Sequence, residues 1–334
     1  MSGSKPRITI VGLGLIGGSI GLALRQSGAA ATVIGHDADP EIGRQARQRG
    51  VVDRSEWNLI AACKQADLVI LAMPLGAIRP TLEAIGPHLR PGCVVMDTAT
   101  LKRPVMAWAA EALPEQVHFV GGDPIITRPV ERQGGLGAAR ADLFQNGLFC
   151  LIPSPGADEQ AVKLTSDLVT LLGARPLYFD AVEHDGMLAG VEHLPAVLAL
   201  ALLETAIHQP SWRELRKVAG AAFEAGTHLT ATDPTLYGDL LVANRDNIVR
   251  WIDDLTAALT SIRQLLAENE LQAVIQQFQA ALEERQKWLR DRETGQWEAV
   301  TPATDMPTAS GVLADILLGG LWRRQPKKEG TGRV

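Results

Sequence analysis

Apolar residues fall into two textures along this chain, and the change comes near residue 180. Before it, short apolar runs sit at 8–11 (ITIV), 31–35 (ATVIG), 66–73 (ADLVILAM), 93–96 (CVVM), 117–120 (VHFV), 148–152 (LFCLI) and 175–179 (RPLYF). Each closes on a glycine, a proline or a polar residue, as parallel strands buried on both faces do. In this reading the run 117–120 ends where a loop, Gly121-Gly122-Asp123-Pro124, begins. After residue 180 the strand signals stop. Apolar positions then recur every three or four residues through 194–207, 215–226, 234–244 and 247–290, which predicts helices. The expected fold is an α/β Rossmann-type doubly wound parallel sheet over residues 1–180, followed by an all-α second domain over 181–292. Residues 293–334 read as a linker and tail with one apolar helix at 312–322. The run 264–290 has the character of a packing or dimer helix.

The first apolar run leads straight into Gly12, Gly14 and Gly17, and another apolar stretch follows at 20–24. This is the G-x-G-x-x-G spacing between a strand and a helix. Gly12 permits the sharp turn, Gly14 lets the backbone approach a pyrophosphate, and Gly17 lets helix and strand pack closely. The helix start offers free N–H groups to the phosphates. Leu15 and Ile16, in the same turn, belong to this candidate nucleotide site, as does Pro74 at the end of the run 66–73. Asp37 closes the second run, 25 positions after Gly12. An acidic side chain there accepts hydrogen bonds from a ribose 2′-hydroxyl and repels a 2′-phosphate, so the expected cofactor is NAD rather than NADP.

Composition narrows the class. A chain of 334 residues is too long for one ordinary core. A formal net charge of −6 leaves no electrostatic footprint for nucleic acid. Cys63, Cys93 and Cys150 are scattered at spacings that suit no metal site, so reduced, buried thiols in a cytoplasmic protein are expected. Lys5 and Arg7 run directly into the first strand, which leaves no room for a secretory leader. No apolar run of membrane-spanning length is expected either. A small-molecule substrate is the expected partner.

Several segments together carry a resemblance: VGLGLIGGS (11–19), His36-Asp37, ADLVILAMP (66–74), DTATLK (97–102), FVGGDP (119–124) and ARADLF (139–144). They continue with EHD (183–185), VEHLPAVLALAL (191–202) and TDPTLYGDLLVANRDNI (232–248). Over roughly residues 7–260 the chain resembles the prephenate/arogenate dehydrogenase family of tyrosine biosynthesis. The resemblance implies a nucleotide domain joined to a helical domain that forms a homodimer. It also implies an NAD-dependent oxidative decarboxylation. Hydride leaves the ring carbon bearing the hydroxyl, and loss of the ring carboxylate gives an aromatic product.

Four motifs depart from the family pattern. The family's GGHP, whose His hydrogen-bonds the substrate hydroxyl, reads Gly121-Gly122-Asp123-Pro124. Its D-x-T-R, whose Arg holds a substrate carboxylate, reads Ala225-Gly226-Thr227-His228. Its SHLPH reads Glu192-His193-Leu194-Pro195-Ala196, and the Ser of its GSVK-like strand end reads Thr100. The resemblance therefore points to Asp123, His193 and Thr100 as catalytic candidates. It points to His228 and Glu192 as substrate-binding candidates, and Arg128 and Arg132, which the family pattern lacks, join them on charge. An ionised Asp123 can accept a hydroxyl proton, as a weaker base than His. His228 lacks the fork of an Arg, and Asp123 and Glu192 repel a dianion, with Arg128 and Arg132 the candidates to restore positive charge. Glu192 beside His193 is expected to favour the protonated imidazole. Three functions stay open: a prephenate or arogenate dehydrogenase with a substituted site, a dehydrogenase of the same lineage on another hydroxy-acid or cyclohexadienyl substrate, and a non-catalytic nucleotide-binding regulator.

Overall fold

The computed structural model describes residues 5–126, 134–229, 234–295 and 297. Among these, one sheet contains β1 (Arg7–Val11), β2 (Thr32–His36), β3 (Arg54–Ser55), β4 (Leu68–Leu71), β5 (Val94–Asp97), β6 (His118–Ile125), β7 (Leu148–Pro153) and β8 (Arg175–Tyr178). Their order is β3-β2-β1-β4-β5-β6-β7-β8. The connecting helices are α1 (Leu15–Gln26), α2 (Pro40–Gln48), α3 (Leu59–Cys63), α4 (Leu75–Ile85), α5 (Arg103–Ala112) and α6 (Glu159–Leu171). Strand order reverses between β1 and β4, and the crevice at such a switch point is where ligands of open α/β sheets bind.

β4 shows why the apolar runs are continuous. Leu68 and Ile70 enter the core shared with Ile20 and Leu24 of α1, whereas Val69 and Leu71 enter the core shared with Ile78 and Leu82 of α4. All four strand residues are buried. Side chains of this size stabilise by roughly 1.5–3 kcal/mol each when fully buried.

The sheet departs from the expected all-parallel form at one edge. β6 and β7 pair antiparallel, so β7 and its parallel neighbour β8 run against the rest. β6 also runs on through Gly121-Gly122-Asp123-Pro124 to Ile125, where the sequence suggested a loop. β5 pairs with β6 only as far as Val120, so residues beyond it have an unpaired edge on that side. A proline without an N–H is tolerated there. The two-residue β3 was not anticipated.

Beyond β8 come α7 (Ala181–Leu188), a π-helical turn (Ala189–His193) and α8 (Leu194–Ile207). They are followed by α9 (Trp212–Val218), α10 (Ala221–Gly226), α11 (Pro234–Ala243), α12 (Arg245–Ala267) and α13 (Leu271–Thr294). The single helix expected over 247–290 is split, and Asn269 at the break has a φ of 58°. The expected helix at 312–322 lies outside the described residues. Contrary to the sequence expectation, Ala181–Ile207 forms a passage of 27 residues that holds an 18-residue window of mean hydropathy 1.7, long and apolar enough to cross a membrane. Its polar residues, however, bond to the sheet domain, as described below. Only 28% of that window is buried in the single chain.

The π-helical turn packs tightly on α12. A Cβ on Gly190 would come 2.5 Å from the Trp251 indole, and that indole is fixed by its N–H bond to the Gly186 carbonyl at 3.0 Å. Alanine gains about 1 kcal/mol of helix propensity over glycine, but overpacking costs about 1–3 kcal/mol and the displaced indole bond about 1 more. Gly190→Ala should therefore lose about 1–3 kcal/mol in urea denaturation. Unchanged stability would show that the indole yields freely.

Candidate active site

The glycine turn after β1 is shaped by close approaches on two sides and open space on a third. Gly12 has a φ of +91°, and a Cβ there would meet the Ala72 carbonyl oxygen at 2.3 Å. A Cβ on Gly17 would fall 1.9 Å from the Gly12 oxygen. Gly14 differs: nothing lies within 4 Å of its Cβ position. No side chain caps α1, whose first residues Leu15 and Ile16 are half-buried. Asp37 follows β2 and accepts hydrogen bonds from the Leu13 N–H at 2.8 Å and the Asp39 N–H at 3.0 Å, which fixes its carboxylate beside the turn. Pro74 precedes α4 at the end of β4. A bare helix start, an open approach at Gly14 and a fixed carboxylate fit a dinucleotide.

Beside this crevice lies a buried polar cluster whose unity was not visible in the sequence. Lys102 is fully buried, and its Nζ donates to Asp97 Oδ2 at 2.5 Å and to the Gly122 carbonyl at 2.6 Å. Asp97 also accepts from the N–H groups of Ala99 (2.9 Å) and Gly122 (3.1 Å). A Cβ on Gly122 would stand 2.6 Å from the Asp97 oxygen, so the strands meet this closely only with glycine there. The backbone N–H groups of Lys102 and Arg103 donate to the two carboxylate oxygens of Asp185, on α7, at 2.8 and 2.9 Å.

His184 joins this cluster to Asp123. Its Nδ1 is 3.1 Å from Asp185 Oδ1 and its Nε2 is 3.3 Å from Asp123 Oδ2. The second contact is an ion pair whose alignment falls short of a hydrogen bond, so both atoms keep hydrogen-bonding capacity. Asp123 is a buried residue of β6, opposite Cys150 of β7. Burial raises its carboxyl pKa, against the opposing pull of His184 and Lys102. Burial alone would lower the His184 pKa. Close contacts with Asp123, Asp185 and Cys150, with the charge of Asp123, outweigh it and push the value up to about 11. The imidazolium therefore contributes stability that is complete below its unfolded value of 6.5 and is lost as pH rises from there through about 11.

His193 is also buried but in the opposite state. Its Nδ1 lies 3.2 Å from Nδ2 of Asn244, which also donates to the Asp185 carbonyl at 2.8 Å, and its Nε2 has no partner among the described residues. Burial, helped by the charge of His184 and opposed by Asp185, lowers its pKa to about 4. The expectation that Glu192 protonates it is thereby corrected, since desolvation of the imidazole dominates.

The other candidates separate. Glu192 is exposed on the single chain, yet the protein packed about its carboxylate raises its pKa, and the charge of Asp123 pushes the same way. Tyr237 on α11 is raised by burial and by the charge of Glu192, which puts it in the same neighbourhood. Thr100 is half-buried in the loop two residues before Lys102. His228 follows α10 and is exposed on the single chain, outside the buried cluster. Arg128 and Arg132 lie outside the described residues. The sequence reading gave no role to Asp97, Lys102, His184, Asp185 or Asn244. Their signal was charge directly after an apolar run in DTATLK and at a helix start in EHD, because charges in such buried settings must be paired.

The two histidines should be separable by nitrogen-resolved NMR. From about pH 6 to about pH 8, His184 should remain doubly protonated and His193 neutral, while an unconstrained imidazole titrates through that range. A His184 midpoint near its ordinary value would show that the contact with Asp123 is not made in solution.

Comparisons with known proteins agree with this geometry. Residues 20–178 match the family model described as prephenate dehydrogenase, nucleotide-binding domain, and residues 180–295 match prephenate dehydrogenase, dimerization domain. The chain is 28% identical to prephenate dehydrogenase of Bacillus subtilis over 323 residues, covering 95% of this chain and 85% of that protein. It is 26% identical to cyclohexadienyl dehydrogenase of Zymomonas mobilis, covering 83% of this chain and 94% of that protein. Among solved structures it is similar to prephenate dehydrogenase from A. aeolicus in complex with hydroxyphenyl propionate and NAD+. The TM-score is 0.78 and the identity 25%, with 86% of this chain and 99% of that one covered. The chain belongs to the prephenate dehydrogenase family of NAD-dependent oxidoreductases.

Proposed function

We propose that this chain catalyses the oxidative decarboxylation of a cyclohexadienyl acid, the reaction class of prephenate and arogenate dehydrogenases, in the cytoplasm. One observation carries the reading: Asp123 is a buried carboxylate with an oxygen short of hydrogen bonds, on the strand edge beside the nucleotide crevice. NAD, when bound, supplies the hydride acceptor. Gly12, Gly14 and Gly17, with Leu15 and Ile16, seat the pyrophosphate at the start of α1, Pro74 lines the neighbouring wall, and Asp37 takes the ribose hydroxyls.

Asp123 accepts the proton from the group on the reacting carbon, and the His184 and Lys102 cations oppose the rise in its pKa that burial causes. Both are positioning residues. His193 stays neutral and offers Nε2 to the substrate, with Asn244 fixing its ring. Thr100 borders the site from the end of β5, and Glu192 borders it from the π-helical turn. Arg128, Arg132 and His228 are the candidates for holding substrate carboxylates.

Asp123→Asn keeps the shape but removes the charge and the proton acceptor. On whichever cyclohexadienyl donor the enzyme accepts, kcat should fall by about 10²–10⁴. Calorimetry should show NAD affinity unchanged in the variant and about tenfold or more above that for NADP in both proteins. Full turnover by the variant would take Asp123 out of the chemistry.

The helical part is proposed to form a homodimer. Leu259, Ile262 and Leu266 make a stripe on α12, and Leu198 and Leu202 another on α8, all exposed on the single chain. Light scattering at micromolar concentration should report two chains. A monomer that keeps its full thermal stability on dilution would refute the pairing.

A further inference from the structure

We infer that the substrate carries an ammonium, rather than a hydroxyl, on the ring carbon that gives up the hydride. The inference rests on the proposed reaction and specifies the group that faces Asp123. Its first support is charge. In the cluster, the carboxylates Asp97, Asp123, Asp185 and Glu192 meet two cations, Lys102 and His184. Lys102 is taken up by Asp97 and the Gly122 carbonyl, and His184 is shared between Asp185 and Asp123. Among the described residues the remaining negative charge falls to Asp123 and Glu192, where burial disfavours an unpaired carboxylate. A cation placed there is stabilised by both carboxylates, whereas a neutral hydroxyl gains only a hydrogen bond.

Base strength points the same way. An ordinary carboxylate titrates near 4, an alkylammonium such as that of Lys near 10, and a hydroxyl such as that of water far above both. Taking a proton from the ammonium thus crosses about six pKa units at an ordinary carboxylate and fewer at Asp123, whose value burial raises, whereas the hydroxyl stays far out of reach. A carboxylate is a workable acceptor for the first and a poor one for the second. Once the ammonium has lost its proton, the nitrogen lone pair drives the hydride out.

The step balances. The ammonium proton passes to Asp123 and then to solvent. The ring C–H bond breaks with its electron pair, reducing NAD+ to NADH and leaving a C=N bond on the oxidised ring carbon. The ring carboxylate departs as CO2, and the released pair restores aromaticity, giving an arylamine. One proton is released per turnover. The same sequence from a hydroxyl releases none, because the product phenol keeps its proton.

The test uses the full-length protein with NAD and three donors: prephenate, arogenate and the analogue of prephenate with an amino group in place of the ring hydroxyl. NADH is followed by absorbance and proton release by a pH indicator in weak buffer, read before the released CO2 hydrates and adds a proton of its own. The ring-amino donor should exceed both others in kcat/KM by about a hundredfold or more, with one proton per NADH. Asp123→His should shift the preference toward the ring hydroxyl by at least about tenfold. Asp123→Asn, which keeps the shape, should erase most of the discrimination even if the His variant misfolds. Prephenate turned over as well as the ring-amino donor, with no proton released, overturns the inference and leaves the proposed reaction standing. A preference for arogenate overturns it by placing the ammonium on the side chain. No turnover of any donor, with NAD bound, overturns both.

Discussion

Burying Lys102 with no exposure is the constraint on which the rest of the structure depends. An ammonium withdrawn from water costs several kcal/mol unless it is closely paired, and breaking such a pair costs about 3–5 kcal/mol. Asp97 and the Gly122 carbonyl meet that demand, so β5 must end at Asp97 and β6 must pass beside it at Gly122. The same residue's backbone reaches the helical part. Its N–H and that of Arg103 sit at the start of α5, which has no capping side chain of its own, and Asp185 of α7 supplies the cap from across the junction. One lysine thus fixes two strands, a helix start and the docking of the helical domain.

That docking sets the protonation of two histidines nine residues apart. His184 faces two carboxylates and is held charged, whereas His193 meets an amide, loses its hydration and is held neutral. Both are buried, so burial cannot distinguish them; the partners do. The π-helical turn between them makes this possible. It adds a residue to the helix without ending it, so that His193 meets Asn244 while α8 continues.

Much of the fold was legible in the sequence because buried parallel strands need unbroken apolar runs, and those runs coincide with β1, β2, β4, β5, β7 and β8. Legibility failed where tertiary contacts replaced local signals. Gly121-Gly122-Asp123-Pro124 has the composition of a turn, yet β7 on one side and Lys102 on the other hold it extended. The glycine spacing exposed the nucleotide turn, since the chain must approach itself at Gly12 and Gly17. The polar cluster stayed hidden because Asp97, Asp123, His184 and Asn244 lie far apart in sequence, and only folding brings them together. For the same reason the state of His193 was misjudged: Glu192 is its neighbour in sequence, but desolvation decides.

The cluster divides into a clamp and a variable group. Asp97, Lys102, Asp185 and the backbone groups they bond form a closed set, each charge satisfied without Asp123. Among the described residues the Asp123 side chain meets that set through His184, by a contact that leaves hydrogen-bonding capacity on both sides, and it feels Lys102 and Asp97 through charge alone. Changing position 123 therefore alters the charge offered to a ligand without removing a partner from Lys102 or from the cap on α5. A fold held this way can exchange the group that meets the substrate while its two domains stay docked, because the costly burial is settled elsewhere. Position 123 can thus specify chemistry, whereas 97, 102 and 185 cannot vary without loosening the junction itself.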